Sequence, residues 1–182
     1  NQLIQIGNFM ADGIRGKDYE TYSSDIQKGI MLHRAIDTFT DAHPVFRQST
    51  KKLHERYHHY SGVIVDIFYD HFLAKNWQQY SDTPLEDYTA AFYKALEENY
   101  DSLSERARRI LPTMLRENWL TSYATIEGIS HILEQMDRRS GNKSGMKDSV
   151  DELLEFYEVF EIEFKQFFEE IQNHAREKLI EL

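Results

Sequence analysis

Apolar residues along this chain recur mostly at three- and four-residue spacing, and runs that alternate apolar with polar are essentially missing. Polar breaks divide the pattern into helical segments. The first predicted helix covers residues 3–14 and is broken by Gly13 and Gly16. After the polar stretch RGKDYETYSSD, Ser23 or Ser24 caps a second helix that runs to Asp41. His43–Pro44 ends it, because the residue before a proline is pushed out of the helical region. A third helix covers residues 44–57, and a fourth covers 62–79 after the turn HHYSG. A fifth follows SDTPLED, a polar cap with a proline and early acids, and reaches Asn99. DSLSERARRILPTMLRENWLTSY predicts one helix or two, bent at Pro112, and TIEGISHILEQMDRR predicts another. SGNKSG is the clearest loop, and the remainder is a long helix or a broken pair. With three prolines, eight glycines and no repeat, linker or low-complexity tract, the pattern implies a single all-α multi-helix domain over residues 1–182.

Composition narrows the classes. An apolar fraction of 41% with 13% aromatics describes a chain that folds around a core. The longest dense apolar stretch, GVIVDIF, is too short for a membrane span and carries Asp66. Twenty-one Lys and Arg against 31 Asp and Glu give a net charge of −10, which argues against general nucleic-acid binding. With no cysteine there is no disulfide, thiolate nucleophile or cysteine-held zinc or iron–sulfur site, and a reducing cytoplasm is the natural setting. No basic segment followed by an apolar one opens the chain, so no signal peptide is expected.

Three stretches bring polar chemistry into apolar helices. In KGIMLHRAIDTFTDAHPVF, His33, Asp37 and Asp41 follow Ile26 and Ile30 along one helical edge, beside a broader stripe of Leu32, Ile36 and Phe39. In GVIVDIFYDHFLAKNW, apolar residues surround nearly the whole helix, which is the signature of burial. Asp66 and Asp70 lie one turn apart in it, on the side shared with Val63, Leu73 and Trp77, and His71 is offset from them. In GNFMADGIRGKDY, Asp12 falls where glycines turn the chain, and Arg15 follows three residues later. A buried carboxylate needs a compensating partner: an arginine, a histidine or a metal. The expected core therefore includes Asp12, His33, Asp37, Asp66, Asp70 and His71. A His/Asp mixture without cysteine suits manganese, magnesium or iron, with zinc as an alternative. Against this, Asp37 pairs equally well with Arg34 one turn away, and Asp66 works equally well as a buried hydrogen-bond hub.

GNFMADGIRG, GIMLHRAIDTFTDAHP and IVDIFYDHFLAKNW together resemble the acyl carrier protein phosphodiesterases, all-α proteins regarded as atypical His-Asp (HD-domain) metal phosphohydrolases. The resemblance is dense from residue 7 to 80, and WLTSYATIEGISHILEQMDRRS also looks like the family's later region. It implies hydrolysis of the phosphodiester that joins 4′-phosphopantetheine to a serine of holo acyl carrier protein, with a divalent metal, typically manganese. Family members usually open with a short NFLAH-like segment, absent here, so the chain is expected to lack a short piece upstream. The adjacent pair also runs Asp70–His71, whereas the wider group usually places histidine first.

On this basis Asp12, His33, Asp37 and Asp70 are the expected metal ligands, with Asp66 and His71 handling protons or supporting the ligands. Arg15 and Arg34 are the expected holders of the non-bridging phosphate oxygens. The acidic carrier protein needs a local basic surface on this acidic chain. The candidates are RGK at 15–17, RARR at 106–109 and RRSGNKSGMK at 138–147, with Arg138 and Arg139 singled out. Two rival readings keep the same residues: an HD-type phosphohydrolase acting on a nucleotide or small phosphate ester, and a non-enzymatic helical interaction module.

Overall fold

The computed structural model describes residues 1–182, and every regular element in it is helical. The ten α-helices are α1 (Gln2–Met10), α2 (Ser24–Ala42), α3 (Pro44–Tyr57), α4 (Ser61–Lys75), α5 (Leu85–Glu98), α6 (Glu105–Arg116), α7 (Trp119–Ser122), α8 (Ile126–Arg139), α9 (Val150–Glu155) and α10 (Tyr157–Glu181), with short 3-10 turns between several of them. The all-α expectation holds. No helix is long and apolar enough to cross a membrane.

Most boundaries fall within a residue or two of the predicted ones, and the exceptions have local causes. α1 stops at Met10, and Ala11–Gly13 tightens into a 3-10 turn. Pro112 sits inside α6 rather than at a break. The chain breaks instead at Asn118, whose φ of +46° is left-handed and incompatible with a continuing right-handed helix. The C-terminal segment is the broken pair, interrupted at Phe156. His43 ends α2 and caps α3, its Nδ1 accepting the Val45 N–H at 3.3 Å.

The chain forms two compact units. The first contains Asn1–Thr40, Glu86–Asn118 and Glu170–Leu182. Its central feature is a close crossing of α1 and α2 at two glycines. A Cβ placed on Gly7 would lie 2.2 Å from the Ile26 carbonyl oxygen, and one on Gly29 would lie 2.1 Å from that of Ile4. Only a residue without a side chain lets the two backbones come this near. Ile6, Met10, Ile26 and Ile30 are buried at this crossing. Phe9 meets Phe92 of α5 edge-on at 5.6 Å, and Phe39 stacks on His174 of α10 at 4.5 Å.

The second unit contains Asp41–Leu85 and Trp119–Glu169. Its core is aromatic: Phe68, Tyr69 and Phe72 of α4 meet Phe160, Phe164 and Phe167 of α10, mostly edge-on or tilted. Glu163 is buried among them but not isolated. It accepts hydrogen bonds from Ser49 and Gln48 and pairs with Lys52, while Ser49 also bonds the Tyr69 hydroxyl. A buried carboxylate satisfied this fully costs far less than an unpaired one. The 138–147 loop is anchored through buried Asp137, which accepts from Ser144 Oγ at 2.6 Å and the Gly145 N–H at 2.9 Å.

Candidate metal centre

The close crossing of α1 and α2 carries the turn after α1 past the middle of α2, and there three expected ligands converge. His33 Nε2 lies 3.0 Å from Asp12 Oδ1 and 3.1 Å from Asp37 Oδ2. His33 and Asp37 share a face because they are one turn apart on α2. Asp12 is brought there by the 3-10 turn. One ligand atom from each residue lies within 4.8 Å of the other two.

The electrostatics of the trio are those of a proton held between carboxylates. The hydrogen bond to Asp12 is the main cause that raises His33 above its ordinary value; burial opposes it, and the charges of Asp37 and Asp12 add to it. Asp12 is lowered, chiefly by the same hydrogen bond, against partial burial, and with help from the charges of His33 and Arg106. A divalent ion fits this donor set. Two carboxylates and an imidazole are hard-to-borderline donors, and metal–ligand bonds of about 2.0–2.3 Å put donor atoms of one shell roughly 3–4.5 Å apart. An ion bound there would compete with a proton for His33 Nε2.

The trio is on the surface, not in the core. Asp12 and Asp37 keep 61% and 56% of their side-chain area exposed, and His33 keeps 20%. The expectation of buried ligands is corrected here. Downstream of Ile30, no residue of α2 is fully buried: each is half-buried or exposed, so the inner edge predicted from spacing is a rim.

The other expected residues have separate settings. Asp66 and Asp70 lie on the exposed side of α4, so the all-round apolar pattern does not bury them; the side shared with Val63 faces water. His71 is the buried member of that helix. Its Nδ1 donates to the Tyr123 carbonyl at 2.8 Å, and its Nε2 accepts from the Tyr157 hydroxyl at 2.7 Å. Burial is the main cause that lowers its pKa, so both ring nitrogens are engaged in a neutral imidazole.

Arg34 donates to the Ile14 carbonyl at 3.1 Å and lies over the Tyr19 ring at 5.1 Å, which ties the 14–19 segment back to α2. Arg15 is exposed on that segment. Arg138 pairs with Glu134 at 2.7 Å, and Arg139 lies over Trp119 at 5.6 Å. Arg106 of α6 was expected only as part of a basic run. Its stem lies against the Asp12–Gly13 turn, with its Cβ 3.3 Å from where a Gly13 side chain would begin. No local pattern announces that proximity, because more than ninety residues separate the two in sequence.

Helices alone, with a His/Asp donor trio at a helix crossing, define an all-α protein with a candidate divalent-metal centre. The chain belongs to the acyl carrier protein phosphodiesterase family, whose model matches residues 1–171. It is 31% identical over 172 residues to the acyl carrier protein phosphodiesterase of Pectobacterium atrosepticum, covering 94% of this chain and 89% of that one. The Photorhabdus laumondii enzyme of the same name is 30% identical over 174 residues, covering 95% and 88%. That of Escherichia coli is 28% identical over 175 residues, covering 96% and 91%. No solved structure matches the chain.

Proposed function

We propose that this protein is a metal-dependent phosphodiesterase that removes the 4′-phosphopantetheine arm from holo acyl carrier protein. The observation that supports it most is the Asp12–His33–Asp37 trio, three donor atoms within 4.8 Å in a chain of this family. Asp12, His33 and Asp37 hold the ion, manganese by preference, with magnesium, iron or zinc as other occupants. When bound, the ion supplies Lewis acidity toward a phosphoryl oxygen and acidifies water.

The chain's own residues prepare that site. Asp12, held below the usual carboxylate range by its bond to His33, stays ionised at neutral pH. Asp12 and Asp37 both contact His33 at Nε2, so one ion beside that nitrogen would meet all three donors. In the reaction, water oxygen joins phosphorus, the bond from phosphorus to the serine oxygen breaks, and a proton goes to that serine. The products are apo carrier protein and free 4′-phosphopantetheine. The 138–147 loop receives the acidic carrier: Arg138, Arg139, Lys143 and Lys147 are exposed on a segment that Asp137 holds in shape.

The test is incubation with holo acyl carrier protein and manganese, followed by intact mass. Loss of the arm, abolished by rigorous chelation and in Asp12→Ala, is the expected result. An unchanged carrier mass with the wild-type protein would defeat the reading.

A further inference from the structure

The run RARR at 106–109 separates, in the folded chain, into unlike members. Arg108 donates to the carbonyls of Tyr100 and Asp101, at 3.1 and 2.6 Å. Arg109 pairs with Glu105 one turn away, at 2.9 Å. Arg106 makes neither a hydrogen bond nor an ion pair, and it is exposed. Its stem nonetheless lies against the Asp12–Gly13 turn. Both Cβ and Cδ lie within 3.5 Å of the position a Gly13 Cβ would occupy, so the side chain runs along the turn that carries Asp12. Its charge reaches Asp12 and contributes to lowering that carboxyl.

A guanidinium whose stem lies along the Asp12 turn and whose head is uncommitted, beside a candidate metal centre, is arranged to meet an anion. A planar fork matches two oxygens of a phosphate, and the geometry costs little to adopt when the stem is already placed. Of the two arginines expected for this task, Arg34 has its guanidinium committed to Ile14 and Tyr19, and Arg15 is exposed on the segment that Arg34 ties back. We propose that Arg106 is the anion-holding side chain of this site, taking the non-bridging oxygens of a phosphodiester seated beside Asp12, His33 and Asp37. This rests on the phosphodiesterase reading above and names a substrate contact within it.

The experiment is calorimetric titration of the manganese-loaded protein with inorganic phosphate, in wild type, Arg106→Gln, Arg106→Lys and Arg109→Gln, alongside manganese titration of each apoprotein. Arg106→Gln is expected to weaken phosphate binding about 10-fold, the usual scale for a lost charge-assisted pair. Arg106→Lys should fall between, because it keeps the charge and loses the fork. Arg109→Gln should bind phosphate like wild type. Manganese binding in Arg106→Gln should be as tight as in wild type or tighter, since a cation beside the ion is removed. Weakening of both ligands marks a merely structural side chain and overturns the proposal. So does wild-type phosphate affinity in Arg106→Gln, or no phosphate binding by the wild type. A holo carrier protein left intact by the wild type, with the phosphate results as expected, would instead remove the carrier-protein reaction and leave the anion-holding role standing.

Discussion

Substituting Gly29 by alanine tests the crossing on which the candidate site depends. Alanine at an open helical position ordinarily helps, by about 1 kcal/mol, through helix propensity. At Gly29 the added Cβ would meet the Ile4 carbonyl oxygen at 2.1 Å, the Asn8 nitrogen at 2.7 Å and the Gly7 Cα at 2.9 Å. Ordinary contact begins near 3.4 Å, so the shortfall is about 1.3 Å and all three obstacles are backbone. Neither side can swing away, and α1 must lift from α2. Overpacking of this kind costs roughly 1–3 kcal/mol, and the backbone obstacles argue for the upper end. After the propensity gain, the net loss is about 2 kcal/mol, or roughly 4–8 °C in Tm for a chain of this size. The assay is thermal melting of Gly29→Ala beside Gly62→Ala, a helical glycine with nothing within 4 Å of its added Cβ. Gly62→Ala should melt at or above wild type. Because Asp12 follows α1 and His33 lies on α2, Gly29→Ala should also bind manganese more weakly, and Gly62→Ala should not. A Gly29→Ala protein that melts at or above wild type would refute the close backbone contact.

The remaining expectations concern single side chains. His33→Ala should lower manganese affinity at least about 10-fold, since even residues that only orient ligands cost that much. In wild type, manganese binding near neutral pH should release a proton from the raised His33, seen as a buffer-dependent heat; a heat independent of buffer would count against His33 as ligand. His71 is lowered by burial, so the unfolded chain takes up its proton near 6.5 while the folded one resists. Its contribution to stability is therefore fully present above about pH 6.5 and is lost as pH falls below it. Melting across a pH series should show that decline in wild type and a shallower one in His71→Gln; equal slopes would contradict the assignment. Asp137→Ala removes the acceptor for Ser144 Oγ and the Gly145 N–H, at about 1–3 kcal/mol for each buried group left unpaired. Hydrogen exchange should rise across residues 138–147, and unchanged protection there would show that Asp137 does not hold the loop.

Much of the fold was legible because helices are local. Spacing, caps and prolines placed most of the helices near their observed limits, since each signal acts within four residues. Of the two forms left open for residues 101–123, the chain takes two helices, with Pro112 inside the first, since a proline removes one hydrogen bond without necessarily ending a helix. Asn118 ended α6 with a left-handed φ that its sequence neighbourhood does not announce. Burial was less legible. The apolar surround of Asp66 and Asp70 predicted an interior, yet both residues lie on the exposed strip of α4, with Val63. An apolar count around a helix cannot say which strip is left uncovered.

His33 and Asp37 sit together because one helical turn separates them, and that pairing was already written into the chain. Asp12 reaches them only because Gly7 and Gly29 let two helices touch backbone to backbone. Arg106 reaches the same turn from α6, and Arg34 is drawn off to Ile14 and Tyr19. A period along the chain sets neighbours within one helix; which helices meet, how closely, and which charges stay free are decided by packing between segments distant in sequence.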